Sequence, residues 1–586
     1  MKSISKSSND DADASVNTWP AILTLVLFFL SNLAVIAPLR LGIPTYLVKA
    51  TQRLLTNARI LGSSHQHALK PRYIYFNFIT VPLISVLLLL AAGVFDGKTL
   101  RDGIVGTGGV KPLNIMALFI SLAYISISLD ATGLLRYLAF WVASKGGSSG
   151  RKLFTYLYLF FLLCGVVVGN DPVILSGTAF LAYFTRVAGI TPPTAWIFSQ
   201  FAAANMASVV LVSSNPTNLV LSGAFSISFL SYAAHVVLPF LAAATCVFPL
   251  LLFILFRSPD LIPRRIDIDL EPEEVRATLV DARGAVFGSV LLVVTLGVLV
   301  GVSTIDVPVW MVTVPPAVIM LVRDAAYDWS RHRAQGAKRS PPPSPTTAGS
   351  GREPWSASTP VDPSQSFELH ELSSRAASAA SRTPSPKQPD DRALLPWIHT
   401  HLARARTAFP TVAHTAARLP VALVPFAFLM FILVQGLAAQ GWVALFARGW
   451  AAWVRATGVL GAVGGMGFLS CLFCNFCGTN IGGTILLARV LQLWLGAAPP
   501  APAADARARD GAVYALALGS NFGAFTLSFA GSLAGLLWRA ILRQKGIRVH
   551  ARQFLVLNLP VSAVAMLAAC AVLVGQVYVE HGRGGG

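Results

Sequence analysis

The chain holds an aspartate at the end of an apolar run. Gly169-Asn170-Asp171-Pro172 closes a stretch that opens near Phe154. A carboxylate in hydrocarbon costs about 3 kcal/mol on insertion scales, so it normally faces a cavity or a partner. Asp171 is therefore the leading candidate for coupling a proton or another cation. A structural reading stands beside it, because Asn-Asp-Pro is also a good helix start, with a side-chain oxygen for free amides and proline in the first turn. The two are compatible: a half-helix amino terminus with exposed amides also suits an oxyanion or polar solute.

A second constellation follows. Asn205 precedes Ser213-Ser214-Asn215-Pro216-Thr217-Asn218, which sets hydroxyls, amides and a helix-breaking proline in apolar surroundings. Hydroxyl and amide oxygens serve a hard cation such as Na+; amide hydrogens serve an anion or the hydroxyls of a neutral acid. Asn-Pro by itself marks a turn in any protein. Toward the other end, Thr479, Asn480, Asn521, Thr526, Ser528 and Ser532 supply the same atom types. Cys471, Cys474 and Cys477 recur every third residue, where a helix would place them near one face. Soft sulfur suits arsenic(III), yet Cys is also a small apolar core residue, and packing is the expected role here. His235 reads as a satisfied core residue and Asp130 as an interfacial cap.

The elements that must hold these groups are membrane spans. Of the 586 residues 54% are hydrophobic and only 12% charged, half the charge of an ordinary soluble domain. Apolar runs of about 20 residues, the length that crosses a bilayer as a helix, recur from Trp19 to Val574. This composition excludes a single soluble globule, a disulfide scaffold and a nucleic-acid reader. The net charge of +19 is an orientation signal, since Lys and Arg gather in cytoplasmic loops. The acid-free, basic loop from Arg40 to Arg72 should be cytoplasmic and the amino terminus outside. The expected organisation is a polar tail (1–18), a first membrane half (19–322), a disordered linker rich in Ser-Pro pairs (323–419), a second membrane half (420–576) and a polar carboxyl tail (577–586).

The halves resemble each other. GNDPVIL (169–175) is followed by AANMASVVLVSSNPTNLVL (203–221), and GTNIGGTIL (478–486) by LGSNFGAFTLSFAGSLAGLL (518–537). Matched polar interruptions are the best sequence pointer to a secondary-transporter site, because broken backbone at membrane depth must line a protein or water-filled cavity. The expected fold is thus an all-α polytopic membrane protein of about 10–12 membrane segments.

VVGNDPVILSGT (167–178), the Asn205-to-Leu219 pattern ending in NPTNL, ISFL at 227 and GSLAGLLWRAILRQKGI (531–547) resemble the ion transporter superfamily, within it the arsenite efflux permease and citrate-transporter-like group. The resemblance implies two inverted repeats, each giving a re-entrant hairpin and a broken helix to a midplane site, commonly in a dimer. It implies a secondary active transporter, with arsenite or antimonite efflux coupled to protons as the leading function. Citrate or dicarboxylate transport, another inorganic anion, and Na+/H+ exchange are the alternatives within the fold; a non-transporting receptor or scaffold is the alternative outside it. The candidate site comprises Asn170, Asp171, Asn205, Ser213, Ser214, Asn215, Thr217, Asn218, Thr479, Asn480, Asn521, Thr526 and Ser532. No catalytic residue, metal ligand or cofactor is expected, and no HExxH, GxSxG or Walker sequence occurs. The expected partners are a small inorganic or organic solute, a proton or Na+, and the lipid bilayer of the plasma membrane rather than an internal membrane, with no nucleic acid.

Overall fold

The structure, a computed structural model, describes residues 16–58, 73–266, 272–302, 307–338, 394–497 and 503–582. The protein is an all-α polytopic membrane protein. Among the described residues nine helices are long and apolar enough to span a membrane, from Trp19–Ile36 to Ala551–Gly582. Two four-residue strands, Leu39–Gly42 and Tyr73–Phe76, form a small ribbon. Large apolar side chains such as Val286, Val293 and Leu567 stand exposed on the spans. Such faces are unfavourable in water and ordinary against lipid tails.

The chain falls into two compact units, each described by itself. The larger contains residues 1–41, 73–325 and 411–586. In the smaller, residues 42–72 and 326–410, the described helices are Thr45–Asn57, the end of Val309–Lys338, and Leu394–Ala408, with Trp329 stacked on Phe409 at 6.4 Å. The helix that begins at Val309 runs past Val322, where the linker was expected to start, and most of that linker (339–393) lies outside the described residues.

Two helical hairpins and two broken helices organise the larger unit. In the first hairpin, Gly150–Val168 turns at Gly169 into Asn170–Val187; in the second, Trp442–Phe476 turns at Cys477 and Gly478 into Asn480–Ala497. Gly169 has φ 93° and ψ 170°, a region essentially closed to residues with a Cβ, and Gly478 has φ 84°. One broken helix runs Thr194–Ala207, a 3-10 turn at Val212–Ser214, then Pro216–Phe225. The other runs Ala503–Phe522, 3-10 turns at Gly523–Phe525 and Phe529–Gly531, then Leu533–Gln544.

Each break leaves backbone groups that hydrocarbon cannot satisfy, and side chains take them up. Asn218 Nδ2 donates to the carbonyls of Ser208 (2.8 Å) and Leu211 (2.9 Å). Asn215 caps Pro216–Phe225, its Oδ1 accepting the Thr217 N–H at 3.2 Å, with proline at the first helical position. In the other break Asn475 Oδ1 accepts the Ser528 N–H (3.0 Å), and Ser532 Oγ accepts the Gly535 N–H (3.0 Å). Crossing contacts bind the halves: Pro216–Phe225 lies against Asn480–Ala497, and Leu533–Gln544 against Asn170–Val187. Trp538 stacks on Phe201 at 4.6 Å, fixing one broken helix to the other.

Candidate functional site

The two breaks meet at a buried ring of amides. Asn521, at the end of Ala503–Phe522, accepts on Oδ1 from Asn215 Nδ2 and from Ser208 Oγ, each at 3.0 Å. Its Nδ2 donates to Asn218 Oδ1 at 2.7 Å and to the Ala517 carbonyl at 2.9 Å. Thr217 Oγ1 donates to Asn215 Oδ1 at 3.0 Å, and Asn170 Nδ2 reaches Asn205 Oδ1 at 3.4 Å. Asn205, Thr217, Asn218 and Asn521 are wholly buried, and Asn170 and Asn215 nearly so. The ring is neutral and its groups satisfy one another.

Asp171 stands beside this ring, next in sequence to Asn170. It does not cap its helix: Asn170–Val187 starts from Gly169 with no side-chain cap bond. Partly exposed, the carboxylate has no hydrogen-bond or ion-pair partner among the described residues. The capping role read from Asn-Asp-Pro is thus absent.

The other expected residues are spread more widely. Ser214 Oγ donates to the Val166 carbonyl at 2.9 Å and ties the break to the first hairpin, while Ser213 is half-buried beside it. Thr526 Oγ1 donates back to the Phe522 carbonyl at 2.9 Å, and Ser532 caps its helix. Asn480 is buried and accepts the Thr484 hydroxyl on its main-chain oxygen at 2.7 Å. Thr479 is buried with its hydroxyl unpartnered. From the second half, then, Asn521 alone of the expected residues joins the ring.

The cysteines pack rather than converge. Cys471 Sγ lies 3.3 Å from the Gly519 carbonyl and Cys474 Sγ 3.5 Å from that of Ser520, and among the described residues no three His, Cys, Asp or Glu side chains gather as metal ligands would. Asp130 departs from the interfacial cap that its position suggests. It is buried, accepts the Ser176 hydroxyl, and pairs with Arg418 at 3.4 Å. His235 is not isolated either; it stacks on Tyr514 at 4.3 Å and meets Glu580 at 3.2 Å.

Sequence reasoning missed Ser208, Asn475 and Arg489. Asn475 sits unremarked inside CLFCNFC, and its apolar setting was the available signal. Arg489 is the only Asp, Glu, Lys or Arg between Arg455 and Asp505. A lone cation in so long a neutral stretch is the mark of a functional group.

Fold and site define an integral, multi-pass helical membrane protein with a neutral polar centre built where two broken helices cross. Residues 67–333 match the family model described as "Citrate transporter". An arsenical pump membrane protein of Escherichia coli (strain K12) is 29% identical over 211 residues, 36% of this chain and 48% of that protein. A second arsenical pump membrane protein of Escherichia coli is 31% identical over 147 residues, 25% of this chain and 34% of that protein. The chain thus spans about half the length, or less, of these curated relatives. The YdaH transporter of Alcanivorax borkumensis aligns over 96% of this chain and 98% of its own, with 16% identity and a TM-score of 0.34. Over these matched stretches the chain is similar to the citrate-transporter family and to arsenical pump membrane proteins.

Proposed function

We propose that the protein is a secondary active transporter of the plasma membrane that exports arsenite or antimonite in exchange for protons. The observation that carries this reading is the neutral amide ring with an unpartnered carboxylate beside it. Arsenic(III) as a neutral hydroxide offers hydroxyls that can exchange hydrogen bonds with Asn205, Asn215, Thr217 and Asn521, and it requires no fixed counter-charge. Asp171 is then the group that takes up and releases the proton. The reading also takes the two hairpins and broken helices as inverted repeats, the first hairpin opening to the cytoplasm and the second to the other side.

A second reading keeps the fold and changes the cargo to a citrate-like carboxylate. Arg489, on the second hairpin, and the description of the matched family model favour it. Flux in proteoliposomes, with arsenite, citrate and Na+ offered separately across a pH gradient, decides between them. Arsenite flux driven by the gradient supports the first reading; robust citrate flux without arsenite flux overturns it.

A further inference from the structure

Arg489 lies on Asn480–Ala497, and its guanidinium turns into a region where neutral side chains gather. Nη2 donates to Thr107 Oγ1 and, at 2.9 Å, to Gln435 Oε1; Nη1 donates to Gln492 Oε1 at 3.0 Å. Gln492 is itself held, its Nε2 donating to the carbonyls of Gly108 (2.6 Å) and Ala224 (2.7 Å). Among the described residues no carboxylate lies within ion-pair distance of Arg489, and Asp102 acts on it only through space. A half-buried guanidinium whose hydrogen-bond partners are all neutral has its charge offset only at a distance, by Asp102, where native proteins normally supply a paired anion.

The room for that anion is present. Arg489 and Gln435 line two adjoining cavities: a small one of about 20 Å³, which Val220 and Asp102 also line, and a larger one of about 460 Å³ bounded by Ala224 and Phe225. The cavities follow Pro216–Phe225 from Val220 to its end, beginning two residues beyond Asn218 of the amide ring. Thr107 and the two glutamines hold the guanidinium at the edge of this space, where an oxyanion would displace a neutral acceptor to bond it.

We infer that Arg489, with Gln435, Gln492 and Thr107, forms a subsite for a small oxyanion in the cavities beside Pro216–Phe225. Asp102 is its antagonist: it lines the same cavity and favours the guanidinium's charge, so a bound anion must compete with it. The inference stands apart from the arsenite reading of the amide ring, since it concerns a different set of side chains; citrate bound at Arg489 would bear on the second reading.

Titration calorimetry on the purified full-length protein tests it without any flux measurement. Citrate and inorganic phosphate are titrated separately, at low and at high salt; whichever binds identifies the oxyanion. Binding should weaken with salt, fall about tenfold or more in Arg489→Gln and be partly kept in Arg489→Lys. Asp102→Asn should tighten it. A guanidinium that merely staples the loop at Gly106 and Thr107 would not give that gain. Absence of binding by either anion, equal binding to Arg489→Gln, or no gain in Asp102→Asn overturns the subsite. None of these results involves arsenite, so each leaves the proposal for the amide ring standing or falling on its own assay.

Discussion

The two hairpin turns share a backbone and differ in charge. Gly169 and Gly478 both turn at positive φ, the first followed at once by a helix and the second after Thr479. The first turn continues Asn170-Asp171 and the second Thr479-Asn480, so an acid stands where its counterpart has an amide. The reverse holds eleven residues beyond each glycine, where the first hairpin has Phe180 and the second Arg489. The requirement for glycine is geometric and applies to both turns. Charge differs between the hairpins: near its turn the first carries the acid Asp171, and the second carries the base Arg489 on the helix after its turn.

The sharpest test of this difference is at Asp171. Asp171→Asn keeps the shape and removes the titratable group, so coupled flux should fall to background while the protein still inserts and folds. Asn480→Asp, the mirror change, should leave the pH dependence of flux in place. A mutant at Asp171 that retains both rate and pH dependence would make that carboxylate structural and the two turns equivalent. The measurement is proteoliposome flux across a pH range.

Next in size is Asn521→Ala. The substitution strands Asn215 Nδ2 and removes the shorter bond to Asn218 Oδ1, and an unsatisfied buried group costs about 1–3 kcal/mol. A marked drop in melting temperature in detergent, together with loss of flux, is expected. Thr526→Ala removes only a hydroxyl bonded back to its own helix and should change little. Equal effects would show that the ring is no more important than its surroundings.

The glycines should separate by backbone environment. Gly169→Ala forces a side chain into a conformation costing about 1–3 kcal/mol. It also sets a Cβ 3.1 Å from the fixed Ser214 carbonyl. At Gly478 the nearest atom is Asn32 Oδ1 at 2.5 Å, the end of a side chain that can turn away. Gly169→Ala should therefore lower the melting temperature more than Gly478→Ala, and the opposite order would contradict the assignment of strain.

The smallest effect is expected from replacing Cys471, Cys474 and Cys477 together with Ser. The sulfurs of Cys471 and Cys474 lie against carbonyl oxygens that a hydroxyl can also reach. Most arsenite flux should survive. Flux that vanishes in a folded triple mutant would restore a thiol-coordinating site and place the cargo chemistry in the second hairpin.

Much of the local architecture is legible without coordinates. Length and apolarity mark the spans, because a backbone in hydrocarbon must bond to itself. Gly169, Asn215-Pro216 and Gly478 lie where helices turn or restart, since glycine and proline carry those conformations locally. The roles of Asp130 and Arg489 were not legible in the same way, because their partners lie far along the chain. Asp130 pairs with Arg418 at a separation of 288 residues, and Arg489 donates to Thr107 at 382.

The sequence by itself determined a helical membrane protein, the places where its helices break, and the kinds of polar atom available there. Those follow from period, apolar length and backbone preference, which act over a few residues. Only the tertiary structure decided that Asn521 closes on Asn215 across 306 residues, that Asp171 is left without a partner among the described residues, and that Arg489 faces a cavity beside neutral amides. Hydrogen bonds between remote segments depend on which helix faces pack together, and no local pattern records that choice.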